Sequence, residues 1–313
     1  MSQLSFSDAE GQAKRKQTRR EKFLAEMDKL LPWSEMATPI SRYYSKSLTG
    51  RKPFPLSAML RIHCMQLFYN LSDPAMEDIL YEVESMRRFA GISIDTVPDE
   101  TTILNFRHLL ERHGLGQKLF RKINKHLEKK GLSFKEGTIV DATIISAPTS
   151  TKNQQGKRDP DMHQTRKGNE WHFGMKMHIG VDDALGVIHS IETTAANAHD
   201  ITQTTRLLNG TERRVWGDAG YLGIEKRDEA QHLNLDWFIA ARPGKRKTLN
   251  GAAAKLETLK ASVRAKVEHP FRIIKQQFGY SKTRYRGLAK NTGRLYMLAG
   301  FANLIRCKQY LLT

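Results

Sequence analysis

Residues 137–148 read GTIVDATIISAP, an apolar and β-branched run whose only ionisable member is Asp141. Thr138, Ile139, Val140, Thr143, Ile144 and Ile145 all favour extended backbone, and Gly137 and Pro148 bound the run, so it predicts a buried strand. A bare carboxylate inside such a strand is costly unless something compensates it. Alternation along the strand offers a second reading, in which Asp141 turns to solvent. The strand alone leaves both readings open.

Downstream, the pattern stays strand-like. HFGMKMHIGV (172–181) and GVIHSIETT (186–194) flank the turn DDALG, and RRVWGDAGY (213–221) and LDWFIAARPG (235–244) follow as shorter strands. DITQTTRLLNG (200–210) and EKRDEAQHLN (225–234) read as helices between them. The order strand, strand, strand, helix, strand, helix, strand, helix predicts an α/β mixed sheet with flanking helices. Residues 148–171 are polar and too many for a tight hairpin, which suggests a mobile loop or a functional flap. A soft segment, RPGKRKTLNG (242–251), precedes a long helical C-terminus.

Upstream, residues 1–131 show helical periodicity throughout and predict an all-α N-terminal domain. REKFLAEMDKLL, PLSAMLRIHCMQLFYNL, SDPAMEDILYEV, ESMRRFAG and VPDETTILNFRHLLERHG are its helices, with Ser72 or Asp73 and Asp99 as caps and Gly114 as a stop.

The 313 residues carry 51 Lys and Arg against 33 Asp and Glu, a formal charge of +18, and the sequence pI is about 9.9. Such a surface attracts polyanions, nucleic acid first among them, although a merely basic protein is the plainer reading. Cys64 and Cys307 have no metal-binding spacing and read as reduced core thiols. The absence of a long apolar stretch or secretory leader predicts a cytoplasmic, nucleoid-associated protein with no membrane partner.

Two further acids stand out. Asp218 closes a strand between Gly217 and Gly220, where open α/β sheets place ligands, though Asp beside Gly is also ordinary turn chemistry. Glu268 lies in VEHPFRIIKQ (267–276); on a helix it shares a face with Arg264, Arg272 and Lys275, which a solvated ion-paired face would explain equally well. Pro270 should kink that helix or start a new one. Taken together, a strand Asp, a strand-end Asp and a helical Glu can converge at one sheet edge. Their mutual repulsion is relieved by hard divalent cations, and a pair of these about 4 Å apart suits phosphodiester displacement.

TIVDATIISAP, GDAGY and RAKVEHPFRIIKQQFGYSKTRYRGLAKN resemble the three catalytic blocks of bacterial insertion-sequence transposases of the DDE class, closest to insertion-sequence family five. Around the glutamate that class carries Tyr, two residues, Arg, three residues, Glu, six residues, Lys. Arg264, Glu268 and Lys275 match this spacing, while Ala261 stands at the tyrosine position. The resemblance implies a ribonuclease-H-like catalytic domain at 132–313 behind a helical DNA-binding domain at 1–131. It implies Asp141, Asp218 and Glu268 as catalytic residues holding two Mg²⁺ ions, with Mn²⁺ able to substitute. Cleavage and strand transfer on double-stranded DNA, both element ends and target, follow from it, as does a homo-oligomer on DNA. Arg264 and Lys275 would grip phosphates beside the scissile bond, with Arg272 among the basic neighbours facing the backbone.

Other features bear on DNA. SKTRYRGLAKN (281–291) interleaves Lys282, Arg284, Arg286 and Lys290 with Tyr285, which suits phosphates and an unstacked base. KRKQTRREK (14–22) could track phosphates or be a solvated helix face. Residues 72–113 resemble a helix-turn-helix with Thr101, Thr102, Asn105, Arg107 and His108 as readers, or a small packed bundle. Asp182 and Asp183 read as turn formers, Asp200 and Gln203 as a capping pair, and the histidines as surface or core groups. The closing helix from Thr292 reads as core. A non-catalytic regulator and a nuclease that never joins ends are the competing functions.

Overall fold

The computed structural model describes residues 16–44, 52–132 and 135–312. Lys14 and Arg15 of the basic segment, and most of the N-terminal stretch read for a leader, lie outside them. Among the described residues seven α-helices come first: α1 (Arg19–Leu30), α2 (Trp33–Ser41), α3 (Leu56–Phe68), α4 (Asp73–Glu82), α5 (Glu84–Ala90), α6 (Glu100–Arg112) and α7 (Leu115–Lys129). Strands β1 (Gly137–Ser146), β2 (His163–Lys167), β3 (Glu170–Asp182), β4 (Ile188–Ala195), β5 (Arg214–Gly217) and β6 (Asp236–Ile239) follow, with α8 (Asp228–Gln231) between the last two. The chain ends in α9 (Pro243–Arg246), α10 (Gly251–Arg272) and α11 (Leu288–Leu311). It divides into two compact units, Met1–Ile123 with Lys308–Thr313, and Asn124–Cys307.

In the first unit three helix starts are fixed by side-chain caps. Thr18 and Glu21 form a reciprocal capping box on α1, Ser72 accepts from Ala75 N–H on α4, and Asp99 accepts from Thr102 N–H on α6. One expected groove reader is engaged elsewhere. Arg107 is buried and its guanidinium bonds Asp73 (2.7 Å) and Glu111 (2.7 Å), so it ties α6 to α4; Thr101 and Asn105 are exposed.

The second unit is built on a six-stranded mixed sheet. β1 runs antiparallel to β3, β3 antiparallel to β2 and β4, and β1–β5 and β5–β6 are parallel. One face is covered by the segments after β4 and β5, where Val140, Leu207, Val215, Tyr221, Ile224, Ala230 and Ile239 form a buried cluster. Val140 and Val215 point there, so Ile139 and Trp216, one residue away on each strand, point to the opposite face. α11 is core, as expected: Asn303 bonds both the N–H and the C=O of Ile188, and Thr292 bonds Thr193.

Three local expectations change. The polar stretch 148–171 contains strand β2, paired with β3 from His163↔Gly174 to Lys167↔Glu170. Its lack of apolar alternation hid it, because β2 is exposed along most of its length. The rest of the stretch is tied down, with Asp159 accepting from Gly287 N–H and Asp161 from Leu288 N–H at the start of α11. The helix expected at 200–210 is a 3₁₀ helix, Asp200–Leu207, and that at 225–234 shrinks to α8 after a 3₁₀ turn at Ile224–Lys226. Finally, α10 runs through Pro270 to Arg272, and the irregularity falls on the next residues, where Ile273–Gln277 widen into a π-helix.

Candidate active site

Backbone register assembles the first two acids. Ile139 pairs with Trp216 in the parallel β1–β5 ladder, and Asp141 and Asp218 each follow two residues later. Two residues restore the same face, so Asp141 heads for the face of Ile139 and Trp216. β5 ends at Gly217, and Asp218 caps the 3₁₀ turn Ala219–Tyr221 by accepting from Gly220 N–H at 2.8 Å. Both flanking glycines sit in tight space. A Cβ on Gly217 would lie 3.0 Å from Ile239 Cδ1 and 3.2 Å from Tyr221 Cβ, and one on Gly220 would lie 2.9 Å from Asp218 Oδ1.

The third acid comes from α10, which packs along β1 and β5 and buries Val267, Pro270 and Phe271. Glu268 and Arg272 are on its exposed side, while Arg264 is half-buried. The Asp141 carboxyl is pushed up to about 7, chiefly by burial. The Ala142 N–H opposes that rise, the charge of Asp218 adds to it, Arg264 opposes it and Glu268 adds to it again. Asp141 therefore feels both other acids, each carried by a separate element, with Arg264 acting against them. Among the described residues, however, no three His, Cys, Asp or Glu side chains are gathered tightly enough to hold a metal ion. The acids share an electrostatic neighbourhood without forming a closed ligand set.

The predicted cations are spread along the same part of the chain. Lys275 is half-buried in the π-turn; burial and the charge of Lys167 lower its ammonium pKa, and Glu268 raises it. Lys282, Arg284, Arg286 and Lys290 are all exposed. Arg286 donates to the carbonyls of Lys157 (3.3 Å) and Arg158 (3.2 Å), so it also pins the 148–171 stretch. The loop that carries these residues is organised by fully buried Asn291. Its Oδ1 accepts from the Tyr280 hydroxyl (2.7 Å) and the N–H of Arg284 (3.3 Å), and its Nδ2 donates to the carbonyls of Tyr285 and Gly287 (both 2.7 Å). Tyr285, read from sequence as a base-stacking residue, is half-buried and accepts from Arg294 at 3.1 Å.

The acids set aside from the catalytic set play structural parts. Asp182 is a turn former, accepting from the N–H groups of Ala184, Leu185 and Val187. Asp183 goes further than a turn: it accepts from Arg214 Nε (2.5 Å) and Trp216 Nε1 (2.9 Å), and Arg214 and Trp216 outweigh burial to hold its carboxyl below the usual range. Asp200 does not pair with Gln203. Its carboxylate lies 2.9 Å from Lys176 Nζ and 3.6 Å from Nδ1 of buried His178, while His199 occupies the cap position. Residue spacing could not disclose this, because Lys176 and His178 reach Asp200 through the fold of the sheet. His178 and His189 are core histidines whose pKa values burial lowers to about 4.

A helical N-terminal region followed by a mixed sheet with flanking helices, four antiparallel-linked strands leading into two parallel ones, fits the ribonuclease-H-like fold of DDE transposases. Residues 132–304 match the family described as Transposase DDE domain, and residues 12–109 match Transposase domain (DUF772). The chain belongs to the DDE-domain transposases. No solved structure matches it. Membership gives a transposase role and DNA as partner, and domains of this family generally use divalent metal ions. No described helix is long and apolar enough to cross a membrane.

Proposed function

We propose that the chain is the transposase of an insertion sequence, akin to family five, that binds the ends of its element, cuts DNA there and joins the cut end to target DNA. Asp141, Asp218 and Glu268 are the catalytic carboxylates. The observation that carries this reading is the Asp141 carboxyl, raised to about 7 in part by Asp218 and Glu268 from two other elements. A carboxyl raised mainly by burial and further by two like charges from other elements is typical of functional sites.

The donor set fits hard divalent cations, since it offers carboxylate oxygens only and its mutual repulsion is what a bound cation relieves. The same three residues would hold two Mg²⁺ ions, with Mn²⁺ able to replace them; when bound, these supply Lewis acidity for the attacking hydroxyl and the leaving oxygen. Arg264 offsets charge among the acids, and Lys275 faces Glu268 from the π-turn. Arg272, Lys282, Arg284, Arg286 and Lys290 contact DNA phosphates, in keeping with the net charge of +18. Residues 1–131 form the DNA-binding domain and 132–313 the catalytic one, a division supported by the family match from residue 132. Two or more copies act together on paired ends, in the cytoplasm at the nucleoid.

The test is divalent-metal-dependent nicking of DNA that carries the element ends, followed by strand transfer with a pre-cleaved end. Asp218→Ala is expected to lose nicking and keep binding. Wild-type protein that nicks with no divalent metal overturns the catalytic reading, and hydrolysis without joining makes the chain a nuclease.

A further inference from the structure

Within residues 251–266 of α10 one side chain is buried, and it is an acid: Glu257, 7% exposed. Leu256 and Leu259 beside it are left exposed. A carboxylate withdrawn from water where apolar neighbours are not has to be held by specific bonds. Both of its oxygens are used. Oε2 accepts from the Ala241 N–H (3.0 Å) and lies 3.5 Å from Arg246 Nε, while Oε1 accepts from Lys260 Nζ (2.8 Å). Lys260 donates as well to the carbonyl of Ile239 (2.8 Å). Glu257 and Lys260 thus clasp one short stretch of backbone, from Ile239 C=O to Ala241 N–H, where β6 ends.

Backbone register puts that stretch level with the acids. Gly217 pairs with Ile239 in the parallel β5–β6 ladder and its carbonyl accepts from the Ala240 N–H (3.0 Å), so the clasp grips β6 beside Asp218, just past the end of β5. Asp141 is level with Asp218 on the next strand, since both follow the Ile139–Trp216 rung by two residues. From the clasp to β1 is two strand spacings, about 10 Å. On α10, Arg264 and Glu268 follow Glu257 by seven and eleven residues, close to two and three whole turns, so the three lie along one flank of the helix. The flank whose first member is bonded to the end of β6 presents the other two, about 10 and 16 Å further along the axis, toward the strand positions of Asp218 and Asp141. α10 packs on both β5 and β1, as this course requires, and the Asp141 carboxyl feels the charges of Arg264 and Glu268.

We infer that Glu257 is a positioning residue for the strand-cutting centre: with Lys260 it fixes the roll of α10 about its axis and so aims Arg264 and Glu268 at Asp218 and Asp141. Glu257 itself touches no reacting atom and acts through the helix. The inference rests on the reading of the three acids as catalytic and adds a residue outside their set. A side chain that only orients metal-binding groups is felt as a loss of metal affinity and rate, with DNA affinity kept.

The experiment uses the full chain on DNA that carries the element ends. Three quantities are read: DNA affinity, nicking rate at saturating DNA, and the Mn²⁺ affinity of the DNA-bound chain from the paramagnetic resonance signal of free Mn²⁺, which needs no turnover. Glu257→Ala is expected to bind DNA within about two-fold of wild type while Mn²⁺ affinity and nicking rate each fall about ten-fold or more. Glu257→Gln keeps an oxygen for the Ala241 N–H and should recover most of both. Lys260→Met keeps the apolar stem, deletes the bond to Ile239 and should behave as Glu257→Ala does, so it carries the test where the alanine variant does not fold. Wild-type Mn²⁺ affinity and rate in folded Glu257→Ala overturn the inference, leave the reading of the acids intact and reduce the clasp to a stabilising contact. A fall in DNA affinity that accounts for the whole loss of rate also overturns it, by assigning Glu257 to presentation of the basic turn 242–247. Wild type that neither binds Mn²⁺ nor nicks defeats the reading of the acids and the inference together.

Discussion

Asp141 and Asp218 each lie two residues beyond the same rung of the sheet, the Ile139–Trp216 pair of the parallel β1–β5 ladder. Adjacent strands are about 4.8 Å apart, so register sets the two carboxylates toward one face, Asp141 from within β1 and Asp218 from just past the end of β5. Their closeness is a backbone property, and at Asp141 burial and the Asp218 charge act together on one carboxyl.

That consequence gives the first prediction. A carboxyl whose folded pKa is about 7, against an ordinary Asp value near 3.9, binds more protons folded than unfolded between those pH values. The folded state is therefore unpenalised below pH ~4, loses stability as pH rises toward 7 and carries the full penalty above it. Asp141→Asn removes the charge, so it should raise thermal stability at pH 8, by an amount on the order of 1–3 kcal/mol, and leave it unchanged at pH 4. Catalysis should be abolished in the same variant. Melting curves at the two pH values check the sign; a variant less stable than wild type at pH 8 contradicts it.

Gly217→Ala is expected to damage the site without touching an ionisable group. The added methyl meets Ile239 Cδ1 at 3.0 Å and Tyr221 Cβ at 3.2 Å, and both belong to the buried cluster beneath the turn. Overpacking of this kind costs about 1–3 kcal/mol. The turn that carries Asp218 should shift with it, so a lower urea midpoint should accompany a loss of nicking larger than the loss of DNA binding.

What the sequence disclosed follows from which interactions are local. β1, the Asp218 turn and the N-terminal caps were readable because strand composition, Gly spacing and Ser/Asp caps act within a few residues. β2 was not, since an exposed polar strand has no apolar alternation and is held by pairing with β3. Arg107 and Tyr285 looked like free contacts for DNA, yet partners 34 and 9 residues away claim them. The acids were legible singly as ambiguous residues, and it is the β1–β5 register and the course of α10 that make them neighbours.

Asn291 predicts how the basic loop is held. All of its amide capacity goes to Tyr280, Arg284, Tyr285 and Gly287, so truncation leaves several buried polar groups without a partner. Asn291→Ala should cost about 3 kcal/mol by urea unfolding, in line with unsatisfied buried groups. Where the variant remains folded, its DNA affinity should fall and the salt dependence of binding should become shallower, because Lys282, Arg284 and Arg286 no longer present a fixed array.

Asp183 and Arg214 make the last prediction, at the end of the sheet away from the acids. The Asp183 carboxylate receives Arg214 Nε and Trp216 Nε1 and fills the space where a side chain on Gly137 would begin. It joins the β3–β4 turn to β5, the strand that delivers Asp218. Removing one member of a largely buried pair strands the other, and Arg214 is partly exposed, so Asp183→Ala should cost about 2–3 kcal/mol at pH 7. Here the folded carboxyl pKa is depressed, so the stabilisation is present above the ordinary Asp pKa and is lost as pH falls through the lower folded value. The gap in urea midpoint between wild type and Asp183→Ala should hence be constant from pH 7 to 5 and close below about pH 4. Gly137→Ala, whose methyl collides with the same carboxylate, should reproduce the loss at pH 7 but retain it in acid, because a steric clash does not titrate. A gap that persists unchanged at pH 3 for Asp183→Ala would show that its contribution is packing and not charge.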